Sequence, residues 1–369
     1  MNQKIKDAIP VIISRISKVQ ETPKSAFLGF DACIDSIVKI VREKNGGEIT
    51  SFFSDSDQFG KFLVNLGNKS CGLELQTKLS KIGGNMVISS NALGNLGVKA
   101  DCVGTFGYPE ILPVFHSMSP NCTLHTIADT INATALEFDN SKVIMFDPGP
   151  YNNLTWDGIT SIISPENLRK LIEGKQLIAL VNWSEIDNSS QLWNGILTDI
   201  LPSLEDSSEK THFFSDLSDC SRKSKAEIRE AIDLLGQFRK KYKVTLSLNQ
   251  NEAELVANAL EISPDVPDRT FIKNLFDKMN LDILVIHRVR DALVYDGEKY
   301  EFCDTFLCKE PKVLTGGGDN FNAGFCYALL CDLDLFQSLV VANAVSGSYV
   351  KNGTSPDLNA LEEFIVNYQ

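Results

Sequence analysis

The sequence predicts an α/β fold with a mostly parallel central sheet, and three observations support this prediction. Short apolar runs typical of buried strands alternate with amphipathic segments of helix length along most of the chain. Two further segments alternate apolar and polar residues around turn signals, the pattern of antiparallel hairpins. Finally, 43% of the 369 residues are hydrophobic and 22% are charged, which is ordinary for a globular protein with a substantial core.

The elements of the main layers follow from this periodicity. Strands are predicted at Ala26–Phe30, Leu177–Val181, His212–Ser215, Val244–Leu248 and Ile283–Ile286. Helices are predicted at Gly84–Leu96, Lys225–Lys241, Glu252–Leu260, Asn320–Leu330 and Leu335–Lys351. The last helix is expected to stop at Asn352-Gly353, because glycine readily takes the left-handed conformation that ends helices. At the N-terminus an amphipathic surface helix is predicted from the helical spacing of Ile5, Ile9, Ile12, Ile13 and Ile16.

Two predicted hairpins interrupt the alternation of strands and helices. The first runs through Cys33–Val41 to the turn Asn45-Gly46-Gly47, and the second joins Ala133–Phe138 to Lys142–Phe146. We expect these hairpins, over residues 33–52 and 131–147, to pair into a small antiparallel lid that closes over a cleft. The sequence shows no domain boundary, so a single domain over residues 1–369 is expected.

The segment between the hairpins has a separate prediction. A helix is predicted at Ser54–Gly67, with Phe59 and Phe62 on its apolar side. It belongs to a long segment, Gly46–Leu79, that is expected to influence the pocket for a substrate.

The charge and the cysteines exclude several function classes. Lys and Arg total 35 and Asp and Glu 48, a formal net charge of −13, so the chain is poorly suited to bind nucleic acid or an anionic membrane. Nine Cys without a CxxC pair and no recognisable signal peptide favour reduced thiols and a cytoplasmic location. Four scattered His form no zinc motif. No GxGxxG follows the first strand and no P-loop motif occurs.

The most informative segment is Thr315–Phe325, which reads Thr-Gly-Gly-Gly-Asp-Asn-Phe-Asn-Ala-Gly-Phe. Gly316, Gly317 and Gly318 precede a predicted helix, where free backbone N–H groups and the positive end of the helix dipole would form an anion site. Asp319 follows directly and has two interpretations. It is either the N-cap of the helix or a general base that takes a proton from a hydroxyl beside a bound phosphate.

This segment resembles the C-terminal signature of the ribokinase-like (phosphofructokinase B type) carbohydrate kinases, Asp-Thr-x-Gly-Ala-Gly-Asp-x-Phe-x-Ala-Gly-Phe. The residues that match in register are Gly316, Gly318, Asp319, Phe321, Ala323, Gly324 and Phe325. The resemblance implies a three-layer ribokinase-like sandwich with a small β lid, and Asp319 as the general base. Gly317 replaces the usual Ala, while Val313 and Leu314 replace the Asp-Thr pair. That Asp helps to form a monovalent-cation site in the family, so potassium activation is doubtful here.

The resemblance also implies acceptor-binding residues near the first helix. Gly83, Gly84 and Asn85 match a Gly-Gly-Asn segment in which the glycines let a sugar approach the backbone and the Asn bonds a hydroxyl. The alternative is a plain strand-to-helix turn with an Asn cap.

The first strand of the family ends in an Asp that accepts hydrogen bonds from two sugar hydroxyls. Asp35 fits this position better by its distance from Gly29, and Asp31 is a further candidate. The alternative for both residues is a turn carboxylate.

Nucleotide-binding residues are implied farther along the chain. Asn249 and Glu252 match an Asn-x-x-Glu segment whose Glu orders waters around the Mg²⁺ on the phosphates of ATP. Asn251 and Glu254 are a competing register. Asn343 and the loop that starts at Gly353 resemble the helix and loop beside the adenine. For Asn343 the alternative is a helix residue facing a polar pocket or solvent.

Two loops depart from the family pattern. After Ile283–Ile286 the family has a Thr-x-Gly segment and a second Gly, but this chain reads His-Arg-Val-Arg-Asp-Ala over residues 287–292. Arg288 or Arg290 could contact phosphate instead, with a solvated loop charge as the alternative. Asp219 and Arg222, in a region that loosely resembles an Asp-x-Asn-x-Arg segment, are expected to form a loop ion pair.

Together the motifs predict an ATP-dependent kinase that phosphorylates a hydroxyl of a sugar or polyol. A nucleoside or vitamin-precursor kinase of the same fold and a sugar-sensing protein without catalysis are the alternatives. Because the family often dimerises through its lid, a homodimer is also possible.

Overall fold

The structure is a computed structural model that describes residues 3–205, 211–313 and 315–368; Leu314 lies outside them. In these residues the strands form two sheets and are numbered in chain order. The large sheet contains β1 (Ser25–Phe30), β5 (Lys99–Gly104), β6 (Cys122–Thr126), β9 (Leu177–Val181), β10 (Thr211–Asp216), β11 (Tyr242–Asn249), β12 (Ile283–His287), β13 (Asp291–Tyr295) and β14 (Tyr300–Asp304). The small sheet contains β2 (Cys33–Asn45), β3 (Glu48–Phe52), β4 (Leu75–Gly83), β7 (Ile131–Glu137) and β8 (Lys142–Phe146).

The helices are numbered in the same way. They are α1 (Gln3–Glu21), α2 (Ser56–Leu66), α3 (Asn85–Asn95), α4 (Gly149–Asn152), α5 (Trp156–Ile162), α6 (Pro165–Ile172), α7 (Ser189–Gly195), α8 (Lys225–Phe238), α9 (Gln250–Ala259), α10 (Asp268–Asp277), α11 (Gly317–Leu330), α12 (Leu335–Asn352) and α13 (Leu358–Asn367). None of the helices in the described part of the chain is long and apolar enough to cross a bilayer.

The large sheet is parallel except at one edge. Its order is β14-β13-β12-β11-β10-β9-β1-β5-β6, and only β13 and β14 run antiparallel to their neighbours. Helices α1, α3, α11, α12 and α13 bury one face, and α5 to α10 bury the other. The predicted α/β class and the five predicted strands are therefore confirmed. The edge strands β6 and β14, with β5 and β13, were not predicted.

The helix at the N-terminus is amphipathic as predicted. Ile12 and Ile16 of α1 are fully buried, whereas Arg15 is exposed. Two predicted helix boundaries were wrong by three residues. Helix α11 begins at Gly317, three residues earlier than expected, because the glycines form its first turn. Helix α8 ends at Phe238, since the N–H groups after Arg239 turn back to bond the carbonyls of Gln237 and Phe238.

The small sheet is organised around the long strand β2. Its first half pairs antiparallel with β4 and parallel with β7, while its distal half pairs with β3. Strand β4 was not predicted because its residues show no clear alternation and most are exposed. Helix α2 covers the distal end, where the ring of Phe53 lies 5.3 Å from Phe59 and 5.2 Å from Phe62. The segment Gly46–Leu79 thus builds β3, α2 and half of β4.

Candidate active site

The predicted site residues gather where the parallel strands end. Strands β1, β9, β10 and β11 have their carboxyl ends at one edge of the large sheet, and the N-termini of α3, α9 and α11 face the same edge. Ligands of open α/β sheets bind at this edge. The acidic side chains there influence one another: burial raises the pKa of Asp319, and the carboxylates of Asp216, Asp31 and Asp35 raise it further.

The glycine turn before α11 is held by α12. Gly316 has a φ of +92°, a left-handed conformation that favours glycine. A Cβ at this position would lie 2.8 Å from the hydroxyl oxygen of Tyr349. That hydroxyl donates to the carbonyl of Thr315 at 3.0 Å, and the Ser346 hydroxyl donates to the carbonyl of Gly317 at 2.8 Å. These contacts fix the direction of the N–H groups at the helix start.

Asp319 does not cap α11. The N-cap position belongs to Gly316, which makes no side-chain cap bond, and Asp319 is the third residue of α11. Its side chain is partly buried. Burial first, and then the neighbouring carboxylates, hold the pKa of Asp319 well above its usual range. The N-cap interpretation is therefore wrong. The side chain of Asp319 is free to face the other carboxylates at the carboxyl ends of the strands, a group that we call the acidic edge: Asp31, Asp35, Asp216 and Glu252.

Asp216 and Asn322 belong to the site, but the sequence did not single them out. Asp216 ends β10 and is buried; its Oδ1 accepts from the N–H of Ser218 at 2.7 Å, and its Oδ2 accepts from the Nδ2 of Asn322. The Ser247 hydroxyl donates to the Oδ1 of Asn322 at 2.7 Å. Burial raises the pKa of Asp216 to about 6. Asn322 occupies a variable position of the matched signature, so the motif carried no signal for it.

Asn249 and Glu252 form a capping box at the start of α9. Asn249 donates from its N–H and its Nδ2 to the two oxygens of Glu252, at 2.8 and 2.6 Å, and its Oδ1 accepts from the N–H of Glu252. Glu252 is only 4% exposed. Burial, followed by the charge of Asp216, raises the pKa of Glu252 to about 9. In the competing register, Asn251 and Glu254 are both exposed.

Two carboxylates lie against the paired glycines, one from Asp35 of β2 and one from Asp31 in the link between β1 and β2. A Cβ at Gly83 would lie 2.6 Å from the Cγ of Asp35, and one at Gly84 would lie 2.7 Å from the Oδ2 of Asp31. The thiol of Cys33 approaches the Oδ1 of Asp35 at 3.6 Å. Burial raises the pKa of Asp35. Only glycine leaves room for both carboxylates.

Asp31 and Asn85 differ from Asp35 in their contacts. Asp31 is fully buried, and its oxygens accept from the N–H of Met86 and from the Nδ2 of Asn182, each at 3.0 Å. Burial raises the pKa of Asp31 to about 6. Asn85 donates to the Ser218 hydroxyl at 2.7 Å and therefore bridges α3 to the end of β10. Asn182, which has a left-handed φ of 60° directly after β9, was not predicted.

Several predicted residues lie outside this group. Asn343 is buried in α12 and donates to the carbonyl of Asp304, and Gly353 is the left-handed C-cap of the same helix. Arg288 is bound by two carboxylates, with its NH1 and NH2 donating to Asp268 at 2.9 and 2.7 Å and its Nε to Asp291.

The ion pair expected between Asp219 and Arg222 does not form in the described residues. Arg222 pairs with Glu185 rather than with Asp219, whose side chain instead accepts from the N–H of Ser221. Arg290 is exposed.

His287 is a residue that the sequence did not single out. The Cε1 of its ring would lie 3.3 Å from a Cβ at Gly318, and the ring packs 4.9 Å from that of Phe321.

Comparison with known proteins decides the family. A family model described as prokaryotic ketohexokinase matches residues 5–368. The chain belongs to the prokaryotic ketohexokinase family. A ketohexokinase from Haloferax volcanii is 24% identical over 342 residues, which cover 92% of this chain and 90% of that protein.

Solved structures show the same fold. A mutant of phosphofructokinase-2 from Escherichia coli superimposes with a TM-score of 0.66 at 11% identity, over 94% of this chain and 99% of that one. A putative ribokinase II from the same organism, in complex with ATP and Mg²⁺, gives a TM-score of 0.63 at 14% identity over 93% and 99%. The resemblance to ribokinase-like carbohydrate kinases is confirmed. The chain is a carbohydrate kinase, an enzyme that transfers a phosphoryl group to an alcohol.

Proposed function

We propose that this kinase transfers the γ-phosphoryl group of ATP to a hydroxyl of a ketohexose or a closely similar sugar. The observation that carries the proposal is the position of Asp319. It directly follows the turn Gly316–Gly318, at the edge where Asp35 lies against Gly83. The sugar class rests on the family and on the Haloferax relative.

In the proposed reaction Asp319 is the general base. Its carboxylate takes the proton of the acceptor hydroxyl while the hydroxyl oxygen forms a bond to the γ-phosphorus, and the bond from that phosphorus to the β-phosphate oxygen breaks to release ADP. The N–H groups of Gly316, Gly317 and Gly318 stabilise the negative charge on the transferring group. The raised pKa of Asp319 makes its carboxylate a stronger base than an ordinary aspartate.

The proposed acceptor contacts come from the lid and α3. Asp35 accepts from sugar hydroxyls, Asn85 offers an amide, and Gly83 and Gly84 let the sugar approach the backbone. Asp31 has both oxygens occupied inside the protein. We therefore assign Asp31 to positioning the Gly84–Met86 segment rather than to direct contact with the sugar.

The acidic edge fits Mg²⁺ held through water. In the described residues no three His, Cys, Asp or Glu side chains are placed to ligate an ion directly, and Mg²⁺ in kinases usually keeps several waters. The mutual repulsion of Glu252, Asp216 and Asp319 would be relieved by a cation. Mg²⁺ neutralises the charge of the phosphates when it is bound. Glu252 would hold its waters, while Asn249 positions that carboxylate.

The proposed contacts with the adenine lie away from the carboxylates. Asn343 and Gly353 are kept as candidates for the adenine side, although neither joins the acidic edge in this structure. Val313 supplies no carboxylate, so a potassium requirement is not proposed.

The lid is a candidate dimer surface. Apolar side chains are exposed on both of its outer strands, β4 and β8: Leu75, Leu79, Val143, Ile144 and Met145. Leu79 and Ile144 lie in one row across the small sheet, whereas Val143 and Met145 project from its opposite face. Burying Leu79 and Ile144 against a second copy would remove apolar area from water. Sedimentation of the chain, compared with that of a variant carrying Leu79→Lys and Ile144→Lys, tests this homodimer.

The proposed function is tested by following ADP release with MgATP and a panel of ketohexoses, aldoses, sugar phosphates and nucleosides. We expect a ketohexose to stimulate release. Asp319→Asn should lower kcat by at least about 100-fold, while the exposed Asp277→Asn on α10 should leave it unchanged. Stimulation only by a nucleoside would identify a nucleoside kinase. Sugar binding without turnover would identify a sugar sensor. Near-normal kcat in Asp319→Asn would exclude this residue as the base.

A further inference from the structure

One row of side chains crosses the small sheet beside the acceptor site. In the antiparallel pairing of β2 with β4, Asp35 lies directly opposite Lys81, and in the parallel pairing of β2 with β7 it lies beside Ala133. Ala133 is in turn opposite Phe146 of β8. Residues in register on neighbouring strands project from the same face of a sheet. Lys81, Asp35, Ala133 and Phe146 therefore form one continuous row on a single face of the small sheet, the face whose Asp35 carboxylate acts on Asp319.

The rows on either side of this one are apolar. Toward the large sheet lie Gly83, Cys33 and Ile131, of which Cys33 and Ile131 are buried. Farther out lie Leu79, Ile37, Ala135 and Ile144. The pair of Lys81 and Asp35 is thus a polar site between two apolar rows, as expected for a pocket that binds a sugar through a few fixed polar groups.

Lys81 stands out by its charge. The groups around the site are mainly acidic, and the carboxylates of Asp31, Asp35 and Asp216 all act on Asp319. Burial raises the pKa of Asp35, and the charge of Lys81 opposes this rise more strongly than any other neighbouring group does. Lys142 acts in the same direction more weakly and is exposed at the start of β8. Lys81 is therefore the cation that most affects the proposed acceptor-binding carboxylate.

The ammonium of Lys81 also remains available for a ligand. Lys81 is half-buried, and within the described part of the chain it forms no direct ion pair with Asp35, although the two side chains are on the same face. Side chains directly opposite in an antiparallel pair have Cβ atoms about 5 Å apart. A carboxylate and an ammonium at this spacing can contact neighbouring hydroxyl groups of one sugar.

We propose that Lys81 is a second acceptor-binding residue, which donates hydrogen bonds to a sugar hydroxyl oxygen next to the hydroxyl bound by Asp35. The pair selects acceptors with adjacent hydroxyl groups, because the carboxylate accepts from one and the ammonium donates to the other. This inference rests on the proposed function and adds the residue that determines acceptor specificity.

The experiment compares two lysines of the same strand. Lys81→Met removes the charge but keeps a long apolar stem, and Lys81→Arg keeps the charge. Lys78→Met is the matched control, because Lys78 is exposed in β4 and its ammonium lies 4.8 Å from the centre of the Phe52 ring, away from Asp35. For each variant KM is measured for D-fructose and for MgATP, Kd for D-fructose is measured by calorimetry, and Tm checks folding.

We expect Lys81→Met to raise KM and Kd for D-fructose about 10- to 100-fold, the usual loss for a hydrogen bond to a charged group. KM for MgATP should stay within about twofold, Lys81→Arg should recover most of the affinity, and Lys78→Met should match the unaltered enzyme. An unchanged KM for D-fructose in Lys81→Met, or an equal rise in both KM values, would overturn the role of Lys81 alone. No phosphorylation of any sugar by the unaltered chain would instead overturn the proposed function.

Discussion

The Nδ2 of Asn322 donates a hydrogen bond to the Oδ2 of Asp216, and this bond ties the first turns of α11 to the carboxyl end of β10. Both side chains are buried. Asp216 thereby becomes a fixed negative group behind the helix that carries Asp319, and each carboxylate disfavours the charge of the other. The acidic edge is destabilised when it is fully ionised, which has consequences for stability and for cation binding.

The first prediction concerns the pH dependence of stability. Burial raises the pKa of Asp216 from 3.8 to about 6 in the folded chain. Between these values the folded state binds more protons than the unfolded state, so this group lowers the unfolding free energy as pH rises from about 4 to about 6. Asp216→Asn should therefore gain on the order of 2 kcal/mol relative to the unaltered chain between pH 4 and pH 7. Urea unfolding across this range measures the difference.

The control for this experiment is Asp277→Asn, an exposed substitution on α10. Its stability should follow that of the unaltered chain at every pH. Parallel curves for Asp216→Asn and the unaltered chain would show that the Asp216 carboxyl has an ordinary pKa.

The second prediction separates two glutamates of one helix. Glu252 is buried beside Asp216, whereas Glu254 is exposed and accepts from the Nε2 of Gln250. Glu252→Gln should raise the Mg²⁺ concentration needed for half-maximal activity by about tenfold, because a bound cation favours the ionised form of Glu252 and the variant loses that negative partner of the metal-bound waters. Glu254→Gln should leave it unchanged. Equal Mg²⁺ dependence in both variants would exclude Glu252 from the proposed metal site.

The sequence predicted those site residues whose surroundings are set by their neighbours in the chain. It missed those whose surroundings come from distant segments. The turn Gly316–Gly318 and Asp319 were found because a helix N-terminus is specified by adjacent residues. Asp216 and Asn182 were missed, because their importance comes from packing against α11 and Asp31, which are distant in the chain. A single carboxylate or amide after a strand has no distinguishing pattern.

The same contrast explains which strands the sequence predicted. Central strands such as Ile283–His287 are continuous apolar runs and were predicted, since they are buried on both faces. Strand β4 is mostly exposed, and it is specified by its partner β2 rather than by its own periodicity. That strand carries Lys81, so the residue with the clearest further role lies in an element that sequence did not reveal.

The third prediction concerns Gly316. An Ala here would need a left-handed backbone, which costs about 1–2 kcal/mol, and its Cβ would contact the Tyr349 hydroxyl. Gly316→Ala should therefore destabilise the chain more than Gly46→Ala, which has a φ of +58° but open space around it. Unfolding free energies measure both costs. Adding Tyr349→Phe to Gly316→Ala should recover part of the loss, and no recovery would show that the hydroxyl contact is not the cause.

The last prediction tests the contact between Asp35 and Gly83. A Cβ at Gly83 would lie 2.6 Å from the carboxyl carbon of Asp35, so Gly83→Ala must displace that carboxylate. Because Asp35 is proposed to bind the acceptor, KM for D-fructose should rise about tenfold while KM for MgATP changes little. Gly72→Ala, at an exposed position where a Cβ meets no atom of the described residues within 4 Å, is the matched control. Equal increases in both KM values for Gly83→Ala would mean that Asp35 supports the structure of the lid rather than the sugar, and Asp35→Ala should then show the same pattern.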